Sequence, residues 1–370
     1  VEIHVISLFD DYSVHQTPDY VRLPATDNKN FYDRYFFLGY QKDAELIFGI
    51  SWGRYPNRNV EDAHFTVVHR GVQSSFHASQ ALSRDPSLMR IGPLQLEIIE
   101  PMNVLRFTLD ENEHGLSCEL VFKAVTGAID EGRTVAGNPD NPHTDQTRFM
   151  QYGCWQGSII NNGEEITVDP SKTYGLRDKS WGIRMMGENH FTPEKNAQAF
   201  WMNVVMLAGD QYSVIRTVDG PKGEARDRAG YFAPVYGSKE AIPVGEQNLR
   251  EVKNWTSELT FKDQTRQVVK GVYSVEFADG ENRVITGTAI GTLWYAGMGY
   301  NHERWNHALD HGGPLVTERE DWVIADIDMT APQRQFLSSV LVFEDENGNE
   351  IGFGHTEQFL MGPYAPYGWK

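Results

Sequence analysis

Short apolar runs rich in Val, Ile, Phe, Tyr and Thr recur along the chain at intervals of about 8–12 residues, each closed by Gly, Asn or Asp, as in sandwiches and barrels. Long helical periodicity is scarce. In the first half the pattern predicts strands at 44–52, 64–69, 95–99, 104–109 and 116–124. A further strand at 149–160 leads through Asn161-Asn162-Gly163 into 165–168, a hairpin because Asn-Gly supplies the positive φ values that tight β-turns demand. The second half predicts strands at 199–207, 212–218, 255–261, 267–277, 283–295, 322–329, 338–343 and 351–360, the last two joined by a turn at 344–349. Residues 127–145 are polar and read as a long surface loop. Residues 238–253 are a helix candidate, since Lys239-Glu240-Ala241 and Glu246 to Lys253 favour helix on either side of Pro243. The expected fold is all-β, with two consecutive barrel or sandwich halves and few short helices. The boundary is placed at Asp169-Pro170-Ser171, giving 1–169 and 170–370; no residue-by-residue internal repeat accompanies it.

Composition narrows the partners. At 370 residues the chain exceeds one ordinary core, and 40% hydrophobic content supplies two. Asp and Glu number 51 against 33 Lys and Arg, a net charge of −18, so nucleic acid and anionic membrane surfaces are not expected partners. No apolar run reaches the ~18–20 residues of a membrane span. The opening stretch Val1 to Ile6 lacks the basic flank and cleavage site of a secretory signal. Cys118 and Cys154 read as buried thiols rather than a disulfide, and a cytoplasmic location is expected. Glycine-rich dinucleotide, P-loop and H-E-x-x-H motifs are missing, so no cofactor is expected.

The densest chemistry lies in Tyr174-Gly175-Leu176-Arg177-Asp178-Lys179-Ser180-Trp181-Gly182-Ile183-Arg184. Two readings stay open: a buried Arg–Asp pair pinning a domain junction with Trp181 as anchor, or a burial-tuned ionisable group facing a cavity. This stretch resembles the segment that opens the second half of tandem lipocalin-like proteins in the carotenoid 1,2-hydratase (hydroxyneurosporene synthase) superfamily. Asp33-Arg34-Tyr35-Phe36-Phe37, Trp52-Gly53-Arg54-Tyr55-Pro56-Asn57 and Ile99-Glu100-Pro101-Met102 are similar to bacterial relatives of the same group. The resemblance implies two lipocalin-like β domains. It also implies activities such as hydration of isoprenoid double bonds or Diels-Alder cyclisation.

Adding water to an alkene requires a proton donor in a dry pocket and walls that tolerate a cation. A buried carboxylic acid supplies the first and aromatic faces the second. Asp178 and Glu357 are the expected acids, with Asp62 behind them; Trp52, Trp155, Trp181, Trp201 and Trp294 are candidate walls, with Tyr174 and Arg184 beside the substrate. Strand alternation puts Phe353, His355 and Glu357 on one face, so His355 is a partner for Glu357 if that face points into a barrel. His302, His307 and His311 could form a facial metal site with Asp310 or Glu303, but their spacing matches no metal motif. A pocket-mouth loop with His302 as acid or base is preferred, and no metal is expected. His64 and His69 are five apart in one strand and so point to opposite faces. The expected function is that of a cofactor-independent lyase or isomerase of the hydratase or dehydratase type, acting on an apolar, terpenoid-like molecule. A carrier of a hydrophobic ligand and a pericyclic cyclase remain open as alternatives.

Overall fold

The computed structural model describes residues 6–138, 141–187, 198–243 and 248–370. Its first-half strands are β1 (Phe31–Gln41), β2 (Leu46–Tyr55), β3 (Val60–His69), β4 (Val72–Ala81), β5 (Arg90–Ile91), β6 (Leu94–Glu100), β7 (Val104–Leu109), β8 (Leu116–Ala124), β9 (Ile129–Asn138), β10 (Asn141–Asn161), β11 (Glu164–Val168) and β12 (Thr173–Arg184). The rest are β13 (Ala199–Ala208), β14 (Gln211–Asp219), β15 (Ala225–Pro234), β16 (Arg250–Phe261), β17 (Val268–Phe277), β18 (Asn282–Trp294), β19 (Leu315–Val323), β20 (Phe336–Glu344) and β21 (Glu350–Met361). Helical structure among the described residues is confined to short 3-10 turns.

The first sheet runs β19-β4-β3-β2-β1-β12-β10-β8-β7-β6-β5, with β9 and β11 also paired to β10. Its β5 end approaches β4, the strand next to the other end, where Gln80 Nε2 donates to the Arg90 carbonyl at 3.0 Å. Phe37, Phe48, Trp52, Phe65, Phe107, Phe122 and Trp155 fill the curled interior. The second sheet closes as β13-β14-β15-β16-β17-β18-β20-β21 around Phe200, Met202, Trp255, Tyr273 and Phe343. Between the halves lies a third apolar layer, with Phe36, Leu38, Tyr40 and Leu176 from the first sheet against Val205, Tyr212, Leu293 and Val340 from the second. Strand β2 is therefore buried on both faces, one toward its own core and one toward the other half.

Several expectations need correcting. Residues 127–145 are mostly strand, because β9 and the start of β10 pair as an exposed ribbon whose polar faces carry no alternation. The strand expected at 322–329 lies at Leu315–Val323 and pairs with β4 of the first sheet. Of the helix expected at 238–253, Lys239–Ala241 form one 3-10 turn and Arg250 opens β16; residues 244–247 lie outside the described residues. Strand β12, which follows Asp169-Pro170-Ser171, belongs to the first sheet, between β1 and β10. As expected, Cys118 and Cys154 are free thiols, the first buried and the second half-buried.

Candidate functional site

One end of the curled first sheet opens into a chamber of 890 Å³ whose lining includes Phe9, Tyr12, Phe31, Tyr35, Trp52, Leu88, Met89, Leu96 and Ile98. Charged residues also line it, Arg22, Arg54, Arg90 and Glu97 together with Asp33 from β1 and Lys179 from the adjacent β12. The Lys179 ammonium contacts the Asp33 carboxylate and sits 4.4 Å from the Tyr35 ring centroid and 5.7 Å from that of Trp181. Lys179 is 13% exposed and Asp33 51% exposed, so the amine is largely desolvated while its counter-charge stays wet. Burial pushes the Lys179 pKa down to about 7. Of the residues expected from the sequence, Trp52 lines this chamber and Trp181 stands beside Lys179 at 38% exposure. Trp155 is sealed in the core of the first half, donating to the Leu38 carbonyl at 3.1 Å.

The expected acids lie elsewhere, on the seam between the halves. On β12 the period of two turns Asp178 away from Lys179 and toward the second half. Burial raises the Asp178 carboxyl to about 6, helped by Glu131 and opposed by Arg148, which stands at 3.5 Å. Glu131 is held by Arg148 and, at 2.5 Å, by Arg216 of the other half. Glu357 accepts from the Tyr295 hydroxyl at 2.5 Å and from Asn203 at 3.4 Å, and burial raises it to about 7. The face shared by His355 and Glu357 points out of its barrel yet is dry, because the first half covers it. His355 packs 5.2 Å from the Tyr40 ring, and burial drops its pKa to about 3. A cleft of 30 Å³ bounded by Arg34, Arg148, Asp178, Arg184 and Tyr300 reaches this seam, room for a water and little more. Tyr174 contacts Phe353 at 4.9 Å, Trp201 contacts Phe336 at 5.9 Å, and Trp294 donates to the Met329 sulfur, all away from the chamber.

A buried chain of histidines runs along the same seam. The loop after β18 lies across β3 and β4, so that His302 meets Glu320 rather than lining a pocket mouth. His64 and His77, paired across the β3–β4 hairpin, share a hydrogen bond between their Nδ1 atoms at 2.8 Å. His77 Nε2 and His302 Nε2 both approach Glu320 Oε1, at 3.1 and 3.0 Å. Burial works to raise Glu320, but these two hydrogen bonds outweigh it and hold the carboxyl below its usual range. Asp62 accepts from the Ala308 amide at 2.7 Å and the Tyr55 hydroxyl at 3.1 Å, with His307 Nδ1 at 3.4 Å; burial raises its pKa.

Two groups here have the makings of a metal site, Asp62 with His64 and His307, and His77 with His302 and Glu320. Their partners fix tautomers that oppose it. His302 Nδ1 accepts the backbone amides of Arg304 and Trp305 at 3.0 and 2.8 Å, which puts the proton on Nε2, the atom facing Glu320. His307 Nε2 accepts from Arg34 at 2.7 Å, which puts the proton on Nδ1, facing Asp62. In each group one of the two histidines, His302 or His307, therefore presents an N–H rather than a lone pair, and the residues fit a proton-sharing chain better than a metal.

The fold places the chain among proteins built of two tandem lipocalin-like β domains. It belongs to the family described as "Family of unknown function (DUF8625)", whose model matches residues 6–370. No curated protein matches the sequence. Among solved structures, an AttH-like protein of Nitrosomonas europaea is similar with a TM-score of 0.55 at 12% identity, over 97% of this chain and 98% of that one. Kievitone hydratase of Nectria haematococca is similar with a TM-score of 0.50 at 9% identity, over 88% of each chain. CghA in complex with Sch210972 follows at 0.49 and 10% identity, over 90% of this chain and 89% of that one. At these identities the likeness establishes the fold, and it is at the level of fold that the resemblance carried by residues 174–184 holds.

Proposed function

We propose that the protein binds an apolar small molecule in the chamber of its first half and performs acid–base chemistry on it, of the hydro-lyase or isomerase kind, without a cofactor. The observation that carries this reading is the Lys179–Asp33 pair set into an aromatic-walled space of 890 Å³. That volume lies in the range of about 300–1,000 Å³ typical of small-molecule pockets. A lysine with pKa about 7 populates amine and ammonium together near neutral pH, the condition for moving a proton in both directions. Trp52 and Tyr35 offer π faces to positive charge developing on the substrate. The hydratase among the similar structures supports the reaction class, as far as its name goes. Asp178, Glu357 and Asp62 have the raised pKa values an acid needs, but the 30 Å³ cleft beside Asp178 does not admit a substrate; we assign them to holding the halves together.

The test pairs binding with turnover. Apolar alkenes and carbonyl compounds are titrated against tryptophan fluorescence, and those that bind are incubated and analysed for products. The reading expects saturable quenching and conversion, with Lys179→Met binding normally and converting nothing. Binding without conversion of any ligand by the unaltered protein would favour a carrier. Conversion by Lys179→Met at the original rate would remove the lysine from the mechanism.

A further inference from the structure

The chamber's own carboxylates are poorly suited to protonating an unactivated double bond. Asp33 is 51% exposed and Glu97 37%, so neither is desolvated enough to be kept protonated as a strong acid must be. Of the carboxyls with raised pKa values, Asp178, Glu357 and Asp62 lie on the far side of the first sheet, and Glu61 is buried behind Arg54 and Gln80 and does not line the chamber. What the chamber does present is a largely desolvated primary amine against aromatic faces, with a carboxylate touching it. Desolvation makes a buried lysine a nucleophile toward carbonyl carbon, and the amine attacks once it is released from its contact with Asp33.

Resting on the chamber reading, we propose that Lys179 captures apolar aldehydes or ketones as an imine, with Asp33 as counter-ion of the protonated iminium. The lone pair of the neutral amine forms the C–N bond while the carbonyl π electrons move to oxygen. A proton passes from nitrogen to that oxygen, giving a carbinolamine. The nitrogen lone pair then expels the hydroxyl, which leaves as water with a proton delivered through Asp33 from solvent. The sum is R₂C=O plus Lys–NH₂ plus H⁺ giving R₂C=NH⁺–Lys plus H₂O, with no oxidant or reductant. Where the carbonyl is conjugated to a double bond, the iminium withdraws electrons from the β-carbon, so water can add there without a strong acid. The substrate class is therefore an apolar, preferably α,β-unsaturated, carbonyl compound. Hydrolysis of the imine returns product and amine.

The experiment uses the full chain with cinnamaldehyde as probe and sodium cyanoborohydride as trap, read by intact mass and peptide mapping. One stable adduct per chain at Lys179 is expected, formed about tenfold or more faster than at exposed lysines such as Lys262. Lys179→Met should give no adduct while cinnamyl alcohol, which cannot form an imine, still quenches tryptophan fluorescence saturably; circular dichroism confirms that the variant is folded. Asp33→Asn should trap more slowly at neutral pH. Saturable binding of the alcohol with labelling spread over exposed lysines, or with no labelling, overturns the imine and leaves the chamber reading standing. Failure of both cinnamaldehyde and its alcohol to bind saturably overturns the inference together with the chamber reading for this class of ligand.

Discussion

At residue scale one position of register separates two chemistries: Asp178 faces the seam and its neighbour Lys179 faces the chamber. The charges mark this segment in the sequence, but composition does not say which of two alternating faces meets the cavity, so it points to the acid rather than to the amine beside it. The cost of that amine should be measurable. Its pKa falls from the usual 10.5 to about 7 on folding, so between those values the unfolded chain binds the proton and the folded chain does not. Stability contributed by this group therefore rises with pH through that window, and below about pH 7 the full penalty of burying the charge is present. Lys179→Met should raise stability by on the order of 1–3 kcal/mol at pH 6 and by progressively less toward pH 10, as read from urea midpoints. A variant less stable than its parent at pH 6 would mean that the Asp33 pair outweighs desolvation. Glu357 behaves oppositely. Its pKa rises from 4.5 to about 7, so the folded chain holds the extra proton and stability falls as pH rises through that window. Glu357→Gln mimics the protonated form, and Asn203 can turn its unpartnered Oδ1 toward the new amide. It should match the parent at pH 5 and exceed it by roughly 1–2 kcal/mol at pH 8.

At the scale of elements, tight pairing rests on particular small residues. A Cβ on Gly175 of β12 would stand 1.8 Å from the Leu38 carbonyl oxygen and 3.0 Å from Trp155 Nε1, so neither strand nor indole could keep its place. Gly175→Ala is expected to cost about 1–3 kcal/mol and lower the thermal midpoint by several degrees; an unchanged midpoint would mean that β1 and β12 can separate freely. How far such elements are legible depends on what their two faces meet. The Asn162-Gly163 turn was readable because both residues take positive φ, 51° and 83°. The Arg70-Gly71 turn has the same geometry, φ 49° and 77°, but without Asn in its first position it carries no turn signal. With it went β4, and hence the one signal that sets His64 opposite His77 across a hairpin. The strand expected at 322–329 falls later than β19 because Glu318, Arg319, Glu320 and Asp321 hide β19 among charges; its pairing to β4 is a tertiary fact with no local signature. The chamber itself was invisible, since its wall joins the segment around Phe9 and Tyr12 to β1, β6 and β12, residues brought together only by the curl of the sheet.

At the scale of the whole molecule the two halves are interlocked rather than strung together. Strand β19 comes from the second half of the sequence and completes an edge of the first sheet. There Arg319 donates to the carbonyl of His114 at 2.8 Å and to Asn161 at 2.8 Å, clamping the β10–β11 hairpin. The loop carrying Trp305 and His307 seals the polar face of β3 and β4, with the Trp305 ring stacked 5.2 Å from His77 and its Nε1 donating to Glu318 at 2.7 Å. Glu131 of the first half is neutralised in part by Arg216 of the second. Unfolding either half would thus strip a strand or a lid from the other and leave buried charges unpaired, a penalty of several kcal/mol that neither half can bear alone. A single cooperative transition is expected in calorimetry, with van't Hoff and calorimetric enthalpies in agreement. Arg319→Met and Trp305→Ala should shift that one peak downward without splitting it. Two resolved transitions in the parent, or a variant in which half the enthalpy melts early, would show that the seam is a contact between independent domains. In that case the raised pKa values of Asp178 and Glu357 would no longer be explained by holding the halves together, and a direct chemical role for them would have to be reconsidered.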